Sequence, residues 1–226
     1  MKVKDLLKRI ADVRELRECN IRLQSDEMGN QLYNTFTKRH GRVPFIPNKK
    51  YGVALIDLTQ FKSFDYYLKQ IGGKNSAAYF TRKSLRSGNS ISIIDPVQLQ
   101  IEILEINTSS QARQGAEMDE SYTRTIEYPS SKHHHYFGVF NNNKLVAYSW
   151  MIESGELLLI NRILGHANFL DHGIMYHLLT SMVDFAFDKV PNAKYMMYDT
   201  MIGASDGLKM YKKRCGFNSY RVNWSI

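Results

Sequence analysis

The sequence predicts an α/β (α+β) fold, with strands and helices alternating around one core and a helical elaboration at the N-terminus. Three observations carry this. The chain has 226 residues, of which 43% are hydrophobic, enough for a substantial core. From Tyr51 onward, short runs rich in Leu, Ile and Val alternate with segments whose apolar residues recur at helical spacing. Between Tyr136 and Ile152, two apolar runs flank Asn141-Asn142-Asn143, the mark of a hairpin.

In chain order, residues 3–16 carry Leu6, Leu7, Ile10, Val13 and Leu16 at helical spacing, with a basic face of Lys2, Lys4, Lys8 and Arg9. This is an amphipathic helix. Residues 20–26 read as a short strand or turn, 28–38 as a helix, and 41–50, with two prolines, as a loop. Residues 51–56 (YGVALI) form a strand. Residues 58–71 hold Phe61, Phe64, Tyr67, Leu68 and Ile71 at helical spacing, with Thr59 as cap and Gly72-Gly73 as breaker. A second helix covers 75–87 and carries Arg82, Lys83 and Arg86; a strand over 90–94 follows Gly88. Pro96 opens a helix through Ile106, since proline suits a first helical turn.

The run 156–163 (ELLLINRI), between Gly155 and Gly165, is a buried strand. A turn follows, and then Ile174, Leu178, Met182 and Phe185 recur as far as Lys189. Asp171 is the expected N-cap of this helix, and Pro191 stops it. Residues 195–200 are a further strand. Ser205 or Asp206 caps a short helix carrying Leu208 and Tyr211 and ending at Gly216.

Composition limits the function. No run of about 18 apolar residues is present to cross a membrane, and residues 1–10 lack an apolar signal core. Cys19 and Cys215 are too few for a disulfide scaffold, so a reducing cytoplasm is expected. The formal net charge of +8 attracts phosphates, whether of CoA, nucleic acid or anionic lipid. Zinc-finger, Walker, Rossmann and RNA-binding aromatic signatures are missing. His133-His134-His135 alternate in direction on a strand, so at most two share a face, and no metal is expected.

A strand feeding a glycine turn and then a helix gathers backbone N–H groups at a positive helix end, an anion site suited to phosphates. Here that turn is Asp171-His172-Gly173-Ile174-Met175. A polar segment, 105–122, lies between a helix and a strand and reads as a binding loop; it holds Asn107, Ser109, Arg113, Gln114, Asp119, Glu120 and Tyr122.

The order strand, His172-Gly173-Ile174-Met175, amphipathic helix, strand, then ASDGLKMYKKRCGF over residues 204–217 resembles the GNAT acyltransferases across roughly the last 90 residues. The resemblance implies a mixed, mainly antiparallel central sheet flanked by helices. It divides the single domain into an N-terminal extension (1–50), an acceptor-side half (51–130) and an acyl-CoA-binding core (131–226). It implies acetyl-CoA or another acyl-CoA as co-substrate, with no metal, its pyrophosphate on Asp171 to Met175. Tyr211 would protonate the leaving thiolate. Backbone near Ile163, Leu164 and Gly165 would hold the oxyanion. The 105–122 segment would meet a small-molecule or macromolecular amine. The chain departs from the family loop at both ends: Leu170 stands at the position of an arginine or glutamine, and Met175 at that of a small residue.

An amine acceptor must lose a proton. Candidates for the base are Glu153, Glu156, Asp199, Asp119, and Asn161 through water. The basic helix over 74–86 also resembles, more diffusely, the Fem-type aminoacyl transferases. Two alternatives therefore stand beside acyl-CoA transfer. One is an aminoacyl-tRNA-dependent or nucleic-acid-modifying transferase; the other is a non-catalytic binding module.

Overall fold

The computed structural model describes residues 16–40, 43–110, 112–113, 116–117 and 120–226. The helix expected over 3–16 lies outside them, apart from Leu16. Strand β1 (Arg17–Arg22) leads to helix α1 (Glu27–Thr37), whose Asp26 cap accepts from the Gly29 amide at 2.9 Å. A small ribbon of β2 (Arg39–His40) and β3 (Val43–Pro47) precedes β4 (Tyr51–Asp57). Helices α2 (Phe64–Gln70) and α3 (Ala77–Arg86) follow, then β5 (Asn89–Ile93) and α4 (Gln100–Thr108). Strands β6 (Ala112–Arg113) and β7 (Ala116–Glu117) form a second ribbon. The C-terminal half runs β8 (His134–Asn141), β9 (Lys144–Ser154), β10 (Leu157–Gly165), α5 (Ile174–Lys189), β11 (Tyr195–Thr200), α6 (Asp206–Arg214) and β12 (Asn218–Ser225).

Eight strands make one sheet in the order β1-β12-β4-β11-β10-β9-β8-β5. It is mixed and mainly antiparallel; β1/β12 and β10/β11 are the parallel pairs. The β8–β9 turn uses Asn142 and Asn143 at φ 48° and 61°, the left-handed pair that matches strand twist in a tight hairpin. One face of the sheet is closed by α2, α3 and α5, and its core includes Ile56, Tyr67, Val139, Ile160, Leu178 and Met182. The other face packs α1 over β1, β12 and β4, and α4 over β8, β9 and β10. Among the described residues no helix is long and apolar enough to cross a membrane.

The structure corrects four boundaries. The helix expected over 58–71 is two pieces: a 3-10 turn, Leu58–Gln60, capped by Asp57, and α2, capped by Ser63, whose Oγ accepts from Tyr66 at 3.2 Å. Apolar spacing continued across the break; two serviceable caps split it, and Thr59 is not one of them. The loop expected over 41–50 contains β3, because prolines are tolerated on a two-stranded ribbon with few ladder bonds. Pro96 precedes a turn rather than a helix, and α4 starts at Gln100. Asp171 does not cap α5. A 3-10 turn, Ala167–His172, intervenes, and Gly173 takes the capping position in the left-handed region, φ 78°.

The feature that positions the site is a parting of strands. β10 and β11 pair only from Leu157–Tyr195 to Leu159–Met197. Beyond that, β10 bulges between Ile160 and Arg162, and β11 shifts register against β4 between Met197 and Thr200, with Asp199 at φ 51°. Each irregularity adds local twist, so the two strands diverge and leave a wedge in the middle of the sheet.

Candidate active site

The wedge opens into a cavity of about 430 Å³, within the range of small-molecule sites. Ile163, Leu164 and Gly165 of β10 form one wall and Tyr198 of β11 another. Met175 of α5 and Leu170 of the turn before it, Leu208 and Tyr211 of α6, and Ser110 and Ala112 also line it. The amide of His166 donates to the Val146 carbonyl at 2.8 Å. Antiparallel ladders alternate, so Leu164 also bonds toward β9, whereas Ile163 and Gly165 turn their backbone groups to the wedge.

Tyr211 projects from α6, which starts cleanly because Ser205 Oγ accepts from the Leu208 amide at 3.3 Å. Its hydroxyl donates to the Met175 carbonyl at 2.9 Å, tying α6 to the first turn of α5. Burial pushes the Tyr211 phenol well above its ordinary pKa, and the neighbouring Cys215 acts in the same direction. Burial, followed by the charge of Asp199, raises Tyr198 too. Both phenols are protonated at neutral pH.

The turn before α5 is built by a neighbour. Helix α3 packs against α5 through Phe80 stacked on Tyr176 at 4.6 Å, Thr81 bonded to Thr180 at 3.0 Å and Ser84 to His177 at 3.2 Å. A Cβ on Gly173 would lie 2.4 Å from the Phe80 carbonyl oxygen, so only glycine allows this approach. Lys83 donates to the Asp171 carbonyl at 2.6 Å, and Arg214 to the Tyr176 hydroxyl at 3.3 Å. Positive charge therefore flanks a helix N-terminus. Gly173 and Ile174 are buried, the Asp171 side chain is exposed, and His172 keeps its Nδ1 buried without a partner.

The remaining residues singled out in the sequence fall in different places. Ser109 accepts from the Ala167 amide at 3.0 Å, pinning the end of α4 beside the cavity. Asn107 is buried and accepts from the Tyr148 hydroxyl at 2.8 Å, which makes it a bracket for the sheet. The Tyr122 ring lies 4.1 Å from the Arg162 guanidinium. Arg113 lies in β6, but its side chain is outside the described residues, as are Gln114 and Asp119 altogether.

The structure does not bring Glu156 or Asp199 to the cavity wall. Glu156 stands at the opposite end of β10, accepting from Lys194 at 2.6 Å and from the Arg22 amide at 3.0 Å. The Asp199 carboxylate is 59% exposed and paired with Lys49. Glu153 accepts from His135 at 2.9 Å. His133 meets the Asp26 carboxylate at 3.1 Å and the Glu153 carbonyl at 3.1 Å, and His134 accepts from Trp150 at 2.8 Å. Sequence reasoning missed Tyr198 and Arg162. Only Arg162 left a signal, a charge inside an apolar strand.

Similarity to known proteins agrees with this geometry. The model of the acetyltransferase (GNAT) family matches residues 102–217, half of the chain. No curated protein matches. Among solved structures, FemX superposes with a TM-score of 0.57 at 10% identity, over 75% of this chain and 59% of that one. The C-terminal domain of a putative lysylphosphatidylglycerol synthetase from Agrobacterium fabrum gives 0.51 at 10% identity, over 76% and 57%. The chain thus spans less than two thirds of either, and the likeness is one of fold. With the parted strands, the glycine turn before α5 and the family match in agreement, the chain belongs to the GNAT acetyltransferase family.

Proposed function

We propose that this protein transfers an acyl group, acetyl in the simplest case, from acyl-CoA to an amine, with both substrates bound together. The observation that carries the reading is the wedge between β10 and β11, which opens on a cavity bounded by Tyr211 and the first turn of α5.

The residues present suit such a donor. The first-turn amides of α5 and its dipole favour a pyrophosphate, with Lys83 and Arg214 nearby. The edge of β10 near Ile163, beyond its pairing with β11, suits an amide-containing arm, because a strand's N–H and C=O groups pair with amides. The donor supplies an activated carbonyl, and this chain's own groups do the rest. The Ile163 N–H is aimed to donate to the carbonyl oxygen as negative charge develops there. The protonated Tyr211 phenol supplies a proton to the departing sulfur.

Among the described residues no carboxylate lines the cavity. His166 is no free base, since its Nδ1 already accepts from the Asn168 amide at 3.3 Å. The amine therefore arrives neutral or gives its proton to water. The test is thiol release from acetyl-CoA with a panel of amines. Tyr211→Phe should lower kcat roughly a hundredfold, a typical general-acid contribution. An active enzyme indifferent to this change contradicts the assignment.

A second reading takes the donor as aminoacyl-tRNA on the same fold. It is favoured by the exposed Arg82 and Arg86 beside Lys83 on α3, and by Leu170 and Met175 at the loop. The lysylphosphatidylglycerol synthetase neighbour is named for transfer of that kind of group. Turnover with charged tRNA and none with acetyl-CoA would select it.

A further inference from the structure

We infer that the amine acceptor carries a carboxylate, gripped by Arg162 in an aromatic basket on the acceptor face of the sheet. The inference rests on the acyl-transfer reading above and deepens it. Arg162 lies two residues before Leu164, a cavity residue, so both side chains leave the same face of β10, about 6–7 Å apart along the strand. That face is roofed by α4 and by the segment that follows it. Ser110 and Ala112 line the cavity, and Tyr122 covers the guanidinium.

The guanidinium sits in unusual company. Its Cζ is 4.1 Å from the centre of the Tyr122 ring. Tyr128 and Tyr148, both buried, are near enough for its charge to oppose the rise in their phenol pKa values. Trp150 is its cross-strand neighbour on β9. Its Nη1 is buried and has no hydrogen-bond partner. Among the described residues, no carboxylate forms an ion pair with it.

A buried charged donor without an acceptor is unfavourable; the Arg162 side chain bonds to Tyr148 and lies over Tyr122, which leaves Nη1 still without an acceptor. The missing group is a planar anion. A guanidinium offers parallel donors that match the two oxygens of a carboxylate. A phosphate dianion fits worse among aromatic rings, where each oxygen left without a donor is costly. The short separation from the cavity limits the acceptor to an amine and a carboxylate a few bonds apart, as in an amino acid or a short peptide.

The experiment compares acids with their amides. Free amino acids and Xaa-Gly dipeptides, each beside its C-terminal carboxamide, are offered with acetyl-CoA to the full chain, and kcat/KM is measured. The acids should exceed the amides by roughly tenfold to a hundredfold, the loss expected for one charge-assisted contact. Arg162→Gln should bring the ratio to about one, whereas a merely structural arginine would depress acid and amide alike. Arg162→Lys, which keeps the charge and loses the fork, should retain part of the preference, and it serves as the second variant if the glutamine protein does not fold.

Equal rates for acids and amides in the native protein overturn the inference. So does an undiminished ratio in Arg162→Gln, or a panel wholly refused by a protein that binds acetyl-CoA. If acetyl-CoA itself does not bind, the donor assignment has failed, and the panel is titrated against the free protein by NMR. Acids that bind tighter than amides, with the difference lost in Arg162→Gln, uphold the inference; equal or undetectable binding overturns it.

Discussion

Gly173→Ala probes the turn before α5 through two separable effects. Gly173 has φ 78°, a region that disfavours an L side chain by about 1–2 kcal/mol. The added methyl would also sit 2.4 Å from the Phe80 carbonyl, a backbone atom of α3. Ordinary contact begins near 3.4 Å, so α3 and the turn must separate by about 1 Å. Overpacking of this kind adds roughly 1–3 kcal/mol, for a total of roughly 2–5 kcal/mol. Gly88→Ala is the control: its φ is 76° and nothing lies within 4 Å, so it carries the backbone term alone. Denaturant unfolding should place Gly173→Ala about 1–3 kcal/mol below Gly88→Ala. The displaced first turn of α5 should also weaken acetyl-CoA binding, by up to about a hundredfold for a shift near 1 Å, while Gly88→Ala binds normally. Equal stability of the two variants, with unchanged acetyl-CoA affinity in Gly173→Ala, would refute the claim that α3 shapes this turn.

Two predictions concern protonation. Lys212 is fully buried, donates to the Thr200 carbonyl at 2.9 Å and lies 4.4 Å from the Tyr198 ring centre; burial lowers its pKa from 10.5 to about 8. Between those values the unfolded chain holds the proton more tightly than the folded one, so stability rises with pH across the window. Relative to Lys212→Met, the native protein should gain on the order of 3 kcal/mol from pH 8 to 10.5 in chemical unfolding; parallel profiles would contradict the shift. His177 is buried against Ser84, and burial lowers its pKa below 6.5. As pH falls below 6.5 the unfolded chain takes up a proton that the folded one refuses, and stability is lost. Unfolding of His177→Gln should therefore be less acid-sensitive than that of the native protein between pH 7 and 5, and identical slopes would exclude His177 as the source.

Legibility followed the range of the forces involved. Helix α6, with its Ser205 cap and its Tyr211, was readable because cap and spacing are local. The hairpin at Asn142-Asn143 was readable for the same reason. The pairing of β1 with β12 was not, since it joins Arg17 to Tyr220 with nearly the whole chain between them. The break after Gln60 was invisible because apolar spacing runs straight through it. At the site, Tyr211, Met175 and Ile163 to Gly165, which the family resemblance singled out, line one cavity. Glu156 was misjudged as a neighbour of that group because strand position was not known: it lies at the other end of the same strand, occupied by Lys194. Arg162 and Tyr198 gain their meaning only from what the parted strands and the roof over β10 place beside them.

The central claim is that the wedge between β10 and β11 holds acyl-CoA. Calorimetric titration of the full chain with acetyl-CoA, and separately with free CoA, tests it most directly. Saturable micromolar binding of both is expected, since the α5 turn and the strand edges would hold the part they share. No binding of either ligand to folded protein would contradict it.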